Sequence, residues 1–263
     1  MSEQTVNTLI DSRGVATVTL NRPQKHNAFD DAVIAELRDA FDALSASEDV
    51  RVVVLASRGK NFSAGADLGW MKRMAEYDYE HNLRDAQLLA GMLQSLHDLP
   101  QPTIARVQGA AFGGAVGLVS CCDMAVADEG ASFCLSEVKI GLIPATISPY
   151  VIRAMGERAA RRYFTTAERF LAGEARRIGL VSEIAAAGAL DETLEGLVTA
   201  LLQNGPVAVR ESKRLVVDVA GREISAELIE DTCERIAHIR VSQEGQEGLG
   251  AFLNKRKPGW LAS

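Results

Sequence analysis

Two segments rich in small residues could present backbone amides to a ligand. In residues 61–68 the small side chains let the backbone approach a ligand closely, so the Ala66 amide could point into a site. In residues 107–118 glycines follow a predicted strand and precede an apolar run that is typical of a buried helix. Free amides and the dipole at a helix N-terminus favour negative charge, so Gly114 is the best donor there.

Two amides that converge on one oxygen form an oxyanion hole. Removing a proton α to a thioester, or adding water to its enoyl form, places negative charge on the thioester oxygen, and donors fixed beforehand suit that charge. The structural alternatives are a surface turn for residues 61–68 and tight helix–sheet packing for residues 107–118. The second segment contains neither GxGxxG nor GxxxxGK[ST], so nucleotide-loop interpretations are weak.

A single glutamate, Glu137, interrupts the apolar segment of residues 134–144. Taken alone, such a carboxylate is best interpreted as a solvated charge at a strand end. Beside the two amide segments, an acid–base role becomes the better interpretation. Asp67 and Asp123 are more simply explained as helix caps or loop anchors. No histidine pair has metal-ligand spacing, so we expect no metal site.

Alternating strand and helix patterns must position these groups. The first half of the chain predicts an α/β fold with repeated strand–strand–helix turns, whereas helical patterns dominate from about residue 153. The predicted strands are Val15–Leu20, 51–56, Thr103–Val107 and 124–127, and the predicted helices are one containing Val33, Leu37, Phe41 and Leu44, capped by Asp30 or Asp31, and one over residues 78–99.

Composition narrows the class of protein. A chain of 263 residues with 47% hydrophobic residues suits one large α/β domain, or one domain with a small appendage. The net charge of -7 argues against a nucleic-acid partner. Four cysteines without a CxxC motif fit a reduced, cytoplasmic compartment. We find neither a targeting signal at the N-terminus nor an apolar run long enough to cross a membrane.

Several motifs occur in a distinctive order along nearly the whole chain. They are Leu20-Asn21-Arg22-Pro23 with Asn27-Ala28, Phe62-Ser63-Ala64-Gly65-Ala66-Asp67-Leu68, Pro102-Thr103-Ile104-Ala105 leading to Gly109 and Gly113-Gly114, Cys122-Asp123, and Glu244-Gly245 with Phe252-Leu253 before Lys255-Arg256. No single motif is decisive, but the ordered set resembles the crotonase (enoyl-CoA hydratase/isomerase) superfamily.

The resemblance implies a spiral of ββα turns with a C-terminal helical subdomain that forms trimers, often paired into hexamers. We therefore expect a spiral acyl-CoA-binding core over residues 1–195 and a helical subdomain over residues 196–263. The expected partners are an acyl-CoA substrate and further copies of the chain. Coenzyme A is part of that substrate, so no separate cofactor is expected.

The resemblance also implies roles for individual residues. The amides of Ala66 and Gly114 would hold the thioester oxygen, and Glu137 would transfer protons. Loops on either side of the site would cradle coenzyme A, and Phe252 and Lys255, from this or a neighbouring subunit, would approach its nucleotide. The residues expected to bind substrate are Arg22, Lys25, Ala28, Ala64, Asp67, Leu68, Gly117, Pro144, Phe252 and Lys255.

The chain departs from the family pattern at Gly117, where hydratases typically carry a first glutamate twenty positions before the second. Two carboxylates divide the proton transfers of hydration well, so one carboxylate puts the mechanism in question. Glu137 could act alone, with water held by backbone groups or by Ser120, Ser136 or Ser148. Otherwise a small anion, or a carboxylate of the substrate itself, could fill the space above Gly117.

A second departure concerns the substrate. Gly117-Leu118, Ser136-Glu137-Val138 and residues 144–149 together resemble bacterial methylglutaconyl-CoA hydratases of leucine breakdown, and also hydratases of longer isoprenoid glutaconyl-CoAs from terpene breakdown. Hydration of 3-methylglutaconyl-CoA is therefore the favoured hypothesis. The alternatives are a general enoyl-CoA hydratase, an enoyl-CoA isomerase, a hydratase of isoprenoid glutaconyl-CoA, and a non-catalytic relative that binds coenzyme A or RNA.

Overall fold

The computed structural model describes residues 4–261. Residues 1–3, which belong to the N-terminal stretch expected to lack a targeting signal, and residues 262–263 lie outside the described residues. The strands are β1 Val6–Ile10, β2 Val15–Leu20, β3 Val52–Ser57, β4 Thr103–Val107, β5 Ala110–Phe112, β6 Met124–Asp128, β7 Ser132–Cys134, β8 Phe170–Leu171 and β9 Glu183–Ala185. The α-helices are α1 Asp31–Ser45, α2 Leu68–Glu76, α3 Tyr79–His97, α4 Gly114–Cys121, α5 Ser148–Met155, α6 Glu157–Thr166, α7 Ala172–Arg177, α8 Leu190–Leu202, α9 Pro206–Val219, α10 Ala226–Val241 and α11 Gln243–Leu253.

Two sheets run through the core. The larger has the order β1-β2-β3-β4-β6-β9, with β1 antiparallel to β2 and the other neighbours parallel. The smaller has the order β5-β7-β8. At two successive turns the chain places one strand in the larger sheet and the next in the smaller, as with β4 then β5 and β6 then β7. This repetition confirms the predicted α/β fold of strand–strand–helix turns.

Helix caps fix where the helices begin. The side chains of Asp30, Asp67 and Asp78 accept hydrogen bonds from backbone amides in the first turns of α1, α2 and α3 respectively. Of the two aspartates proposed to cap α1, the structure therefore selects Asp30. The apolar stripe predicted for this helix is fully buried, and α1 packs against α3.

Several elements were not anticipated from the sequence, among them the strands β1, β5 and β7 of the first half. The prediction that strands fade after residue 153 is wrong for β8 and for β9, which extends the larger sheet by pairing with β6. Both strands are two or three residues long, too short for an alternating pattern. Helix α2 was also missed, because its many polar residues and its exposed Leu68 form a sequence pattern typical of a loop.

The expected division at residues 195/196 falls inside α8. This helix packs on the larger sheet, with Leu190 and Val198 buried beside Val126 of β6, so it belongs to the core. The helical tail that projects from the core is α9–α11. It is attached at α9, where Lys213 donates to the Gln101 carbonyl and pairs with Asp123 at 2.7 Å.

Two arginines reinforce this attachment by donating to loop carbonyls. Arg210 of α9 donates to the carbonyls of Glu48 and Val50 before β3. Arg51 donates in the opposite direction, to the carbonyls of Leu202 and Asn204. Each guanidinium donates to carbonyls in a loop or at a helix end, where regular secondary structure offers no partner.

The helical tail keeps much of its apolar surface exposed. Leu228 is the one residue of α10 buried by the chain, among those described, and Ala251 is its counterpart in α11. The exposed apolar residues of α9–α11 are Val207, Leu215, Val216, Val217, Ile229, Ile236, Val241, Leu249, Phe252 and Leu253. Within residues 4–261, no helix is both long and apolar enough to cross a membrane.

Candidate active site

The Ala66 amide is left free by the way its loop pairs with the segment before α1. Phe29 and Ala66 form a parallel bridge, in which the Phe29 amide donates to Gly65 O and the Asp67 amide donates to Phe29 O. A parallel bridge uses the carbonyl of the residue before its central residue and the amide of the residue after it, so the Ala66 N–H points to the opposite side. It has no acceptor among residues 4–261.

The Gly114 amide is free for a different reason. Gly114 is the first residue of α4, whose opening amides have no partner within the helix. The preceding amide, Gly113 N, donates to Cys134 O at 2.8 Å, whereas Gly114 N finds no acceptor in the described part of the chain. Both predicted donors are thus available for a substrate oxygen, as the oxyanion-hole hypothesis requires.

Close contacts hold these two loops side by side. Ser63 and Ala111 form a second parallel bridge, and a methyl group placed on Gly65, which has φ +93°, would lie 3.0 Å from Phe112 O. A methyl group on Gly114 would lie 2.7 Å from Cζ of the buried Phe29 ring. Glycine is therefore required at both positions for the loops to approach this closely.

Glu137 lies against the start of α4. It opens a short 3-10 helix over Glu137–Ile140, and its Oε1 is 3.3 Å from the position of a methyl group placed on Gly113. Burial raises the pKa of the Glu137 carboxyl above its ordinary value. Its Oε2 is buried without a hydrogen-bond partner among residues 4–261. A carboxyl with these properties, next to one of the two free amides, suits proton transfer to a bound substrate.

Asp67 is a structural residue that fixes the position of Ala66. Its Oδ1 accepts from the amides of Gly69 and Trp70 at the start of α2, and its Oδ2 lies 2.9 Å from Lys25 Nζ. The hydrogen bond from Lys25 lowers the pKa of the Asp67 carboxyl. The sequence-based interpretation of Asp67 as a cap and anchor is confirmed, and Asp123 is likewise an anchor for Thr103 and Lys213.

Arg22 extends this network beneath the loop. Its guanidinium is largely buried and donates to Asp30 at 2.9 Å and to the Ala28 carbonyl, with a longer contact to Asp67 at 3.5 Å. The side chain expected to touch substrate is thus turned towards the protein. Lys25 remains half-exposed at the loop surface.

The remaining predicted binding residues fall into two groups. Ala64 is exposed on the loop before α2, Leu68 is exposed at the first position of α2, and Pro144 is buried in the segment between Glu137 and α5. Phe252 and Lys255 lie at the end of α11, in the helical tail, where both are exposed. Helix α11 packs chiefly on α9 and α10.

The space above Gly117 is already filled. A methyl group placed there would lie 2.8 Å from Cβ of Ile147 and closer still to its Cγ2, with Leu93 at 3.6 Å. The idea that an anion or a substrate carboxylate occupies this space is therefore wrong for the structure as it stands. Ile147 is only 2% exposed, so its side chain is part of the packed core.

The hydroxyls suggested as water ligands differ in their surroundings. Ser148 donates to the Ala145 carbonyl at 2.7 Å. Ser120 lies about one helical turn beyond Gly117 on α4, away from Glu137. Ser136 precedes Glu137 directly and is half-buried, so it is the hydroxyl nearest in sequence to the carboxyl.

Sequence reasoning missed two residues that shape the site, Phe29 and Ile147. Phe29 supplies the carbonyl and amide that pair with the loop around Ala66. It lies between Ala28 and Asp30, which were both singled out from the sequence, and that position could have drawn attention to it. Ile147 stood in the segment singled out as unusual, but its contact with Gly117 joins positions thirty residues apart. A local pattern carries no information about such a contact.

Comparisons with known proteins found a matching family and several similar proteins. The family model described as enoyl-CoA hydratase/isomerase matches residues 11–262. An enoyl-CoA hydratase structure from Shewanella pealeana is 49% identical with a TM-score of 0.94, covering 98% of this chain and 96% of that one. Pseudomonas aeruginosa AtuE is 35% identical with a TM-score of 0.93 over 98% and 99%. The 2,3-dehydroadipyl-CoA hydratase of Escherichia coli is 30% identical over 93% and 94%.

Replacing Glu137 with Gln tests the acid–base assignment. We expect turnover of enoyl thioesters to fall about 10²- to 10⁴-fold, the usual contribution of a positioned acid–base group. The exposed Glu223→Gln removes the same charge from the connection between α9 and α10 and should leave turnover unchanged. Equal turnover by Glu137→Gln and the parent protein would contradict the assignment.

The same variant should also be more stable at neutral pH. Because the folded-state pKa of Glu137 is raised, its contribution to stability is fully present below the unfolded pKa and is lost as pH rises through the folded pKa. Ionised Glu137 therefore destabilises the fold at pH 7. Melting temperatures should show Glu137→Gln above the parent at pH 7, with the difference shrinking towards pH 4.

A pair of variants at Gly114 isolates its N–H donor. Gly114→Ala and Gly114→Pro both bring a Cβ against Phe29, but only proline lacks the amide proton. Proline is tolerated at the first position of a helix, so α4 should still form. We expect kcat of the proline variant to lie about 10²- to 10³-fold below that of the alanine variant. Equal rates would show that the Gly114 amide does not stabilise the transition state.

Proposed function

The chain belongs to the enoyl-CoA hydratase/isomerase family, and we propose that within it the Glu137 site adds water to 3-methylglutaconyl-CoA or removes water from 3-hydroxy-3-methylglutaryl-CoA. The observation that carries the proposal is the placing of one half-buried carboxyl at the start of α4, where one of the two free amides lies, with Ile147 in the space of a second carboxylate. Whatever the acyl group, this geometry supports hydration by one acid–base residue.

Hydration at this site follows from the positions of the donors and the carboxyl. The thioester oxygen accepts hydrogen bonds from the Ala66 and Gly114 amides, and Glu137 as carboxylate takes a proton from water. The water oxygen bonds to C3 while the C2–C3 π electrons move towards the thioester oxygen, which becomes the enolate oxygen. Glu137 then gives its proton to C2 as the enolate collapses. The sum is addition of one water, and the carboxylate is restored.

A carboxylated substrate supplies what the protein lacks. In 3-methylglutaconyl-CoA the free carboxylate is one methylene from C3, so it can orient the attacking water as part of the substrate itself. It does not need the space above Gly117. Resemblance of residues 144–149 to methylglutaconyl-CoA hydratases supports this choice. A family member named for 2,3-dehydroadipyl-CoA, which also carries a second carboxylate, is a further support.

An enoyl-CoA isomerase is the second candidate, because moving a double bond needs one carboxyl to shuttle a proton and no water. The single acid–base carboxyl favours it. Further candidates are a hydratase of longer isoprenoid glutaconyl-CoAs, a hydratase of plain enoyl-CoAs, and a protein that only binds coenzyme A or RNA. The half-buried Glu137 with its raised pKa argues against binding alone.

The deciding experiment compares 3-methylglutaconyl-CoA with crotonyl-CoA in heavy-oxygen water, with products identified by mass. We expect labelled 3-hydroxy-3-methylglutaryl-CoA, with kcat/KM at least about tenfold above that for crotonyl-CoA, because loss of a matched polar contact costs at least that much. Preference for crotonyl-CoA would contradict the substrate assignment. A rearranged product without label would replace hydration by isomerisation.

We further propose that copies of the chain assemble as trimers, or as hexamers of two trimers, through α9–α11. The exposed apolar side chains of these helices need a covering surface. In such an assembly Phe252 and Lys255 would approach the coenzyme A nucleotide of the same or a neighbouring subunit.

Light scattering after gel filtration measures this assembly. We expect a mass three or six times that of the chain, reduced by the double variant Val216→Glu/Ile236→Glu, which places charges on the exposed faces of α9 and α10. Leu9→Glu, at an exposed apolar position on β1, is the control and should leave the mass unchanged. A monomeric parent protein would overturn the proposal.

A further inference from the structure

Helix α2 begins two residues after Ala66, so the contacts that hold this helix also affect the direction of the Ala66 amide. Asp67 accepts hydrogen bonds from the amides of Gly69 and Trp70 in the first turn of α2. The amide of Asp67 itself donates to Phe29 O. The Ala66 amide therefore lies between a backbone bridge on one side and the start of a helix on the other, and it keeps its direction only while both are in place.

The side chain of Trp70 joins α2 to α3. Trp70 is 4% exposed and its ring belongs to the main hydrophobic core, whereas the other residues of α2 are exposed or half-buried. A buried indole N–H needs an acceptor, and Trp70 Nε1 donates to Asp85 Oδ1 at 3.1 Å. Asp85 is half-buried and lies on α3, so this hydrogen bond links the two helices across their connection.

A second link from α2 is more exposed. Arg73 follows Trp70 by three residues, so the two side chains leave the same face of the helix. Arg73 pairs with Asp31 of α1, but both side chains are about half-exposed, and such a pair stabilises little. Burial raises the pKa of the Asp85 carboxyl, while the hydrogen bond from the indole acts in the opposite direction. The sheltered contact that holds α2 is thus the one between Trp70 and Asp85.

We propose that Asp85 is a positioning residue, which acts through Trp70 to keep the Ala66 amide directed at the substrate oxygen. This inference rests on the proposed function, since it takes that amide to stabilise the thioester oxygen. Two hydrogen bonds connect the parts, one from the indole of Trp70 to Asp85 and one from the backbone amide of Trp70 to Asp67. An oxyanion-hole donor must lie about 2.7–3.1 Å from the charged oxygen, so a small shift of the loop weakens it.

Kinetic constants for hydration of 3-methylglutaconyl-CoA test the positioning role. Asp85→Ala removes the acceptor, and Trp70→Phe removes the donor but keeps an aromatic ring. Each should lower kcat about three- to tenfold, which is less than the loss of a whole oxyanion-hole donor. KM should change little, because the bond from the amide strengthens in the transition state. Asp85→Asn keeps a carbonyl acceptor and should restore most of kcat.

The control for these variants is Asp39→Ala, which removes an exposed carboxylate from α1 and should keep the parent kcat. Every assay is run well below the melting temperature of the variant, so that unfolding does not imitate a loss of kcat. The double variant Trp70→Phe/Asp85→Ala should be no slower than the slower single variant, since both remove one hydrogen bond. Parental kcat in both single variants, or an equal loss in Asp85→Asn and Asp85→Ala, would overturn the inference.

Hydrogen exchange of residues 66–76 tests the link without any substrate. Loss of one hydrogen bond should speed exchange in this segment by about 2- to 10-fold in Asp85→Ala, and Asp85→Asn should exchange like the parent. Unchanged exchange in Asp85→Ala would show that Asp85 does not hold α2 and would overturn the inference alone. A parent protein that hydrates no enoyl-CoA would overturn the proposed function, while exchange would still decide whether Asp85 holds the helix.

Discussion

Parallel pairing between short backbone segments leaves the Ala66 amide free and holds its loop against the segment that leads into α4. Phe29 pairs with the loop around Ala66, and Ser63 pairs with the strand that leads into α4. The first pairing consumes the amides of Phe29 and Asp67 and leaves that of Ala66 available, whereas the Gly114 amide is free because it opens α4. Much of the surrounding structure serves to keep these segments in register. The Asp67 cap and the Arg22 network fix one side, and the close packing of Gly65 and Gly114 fixes the other.

The site combines a carboxylate with several hydrogen-bond donors, Asp67, and a carboxyl whose Oε2 has no hydrogen-bond partner among the described residues, Glu137. Asp67 is surrounded by amide and ammonium donors, which hold its pKa low and its loop in place. Glu137 lies in a less polar setting that disfavours its charge and raises its pKa. The same fold thus gives two carboxylates opposite tasks, anchoring in one case and proton transfer in the other.

The sequence predicted those parts of the fold that have a local signal. Strands Val15–Leu20 and Thr103–Val107 have the predicted bounds, because runs of β-branched and apolar residues are long enough to be periodic. Free donors at Ala66 and Gly114 were also foreseen, since glycine-rich motifs reflect local backbone geometry. The short β9 was missed because its strand character comes from pairing with β6, a tertiary contact. The contact of Ile147 with Gly117 was missed for the same reason, and two of the three alternatives considered for the site, an anion or a substrate carboxylate above Gly117, depended on that space being open.

The contact between Gly117 and Ile147 also constrains how this protein can evolve. Replacing Gly117 alone with glutamate would cause a steric clash with Ile147. Shortening Ile147 alone would leave a cavity in the core. Each single substitution therefore makes the fold less stable than it is in the present chain, so the two positions must change together. A two-glutamate form of this chain therefore requires a change at both positions.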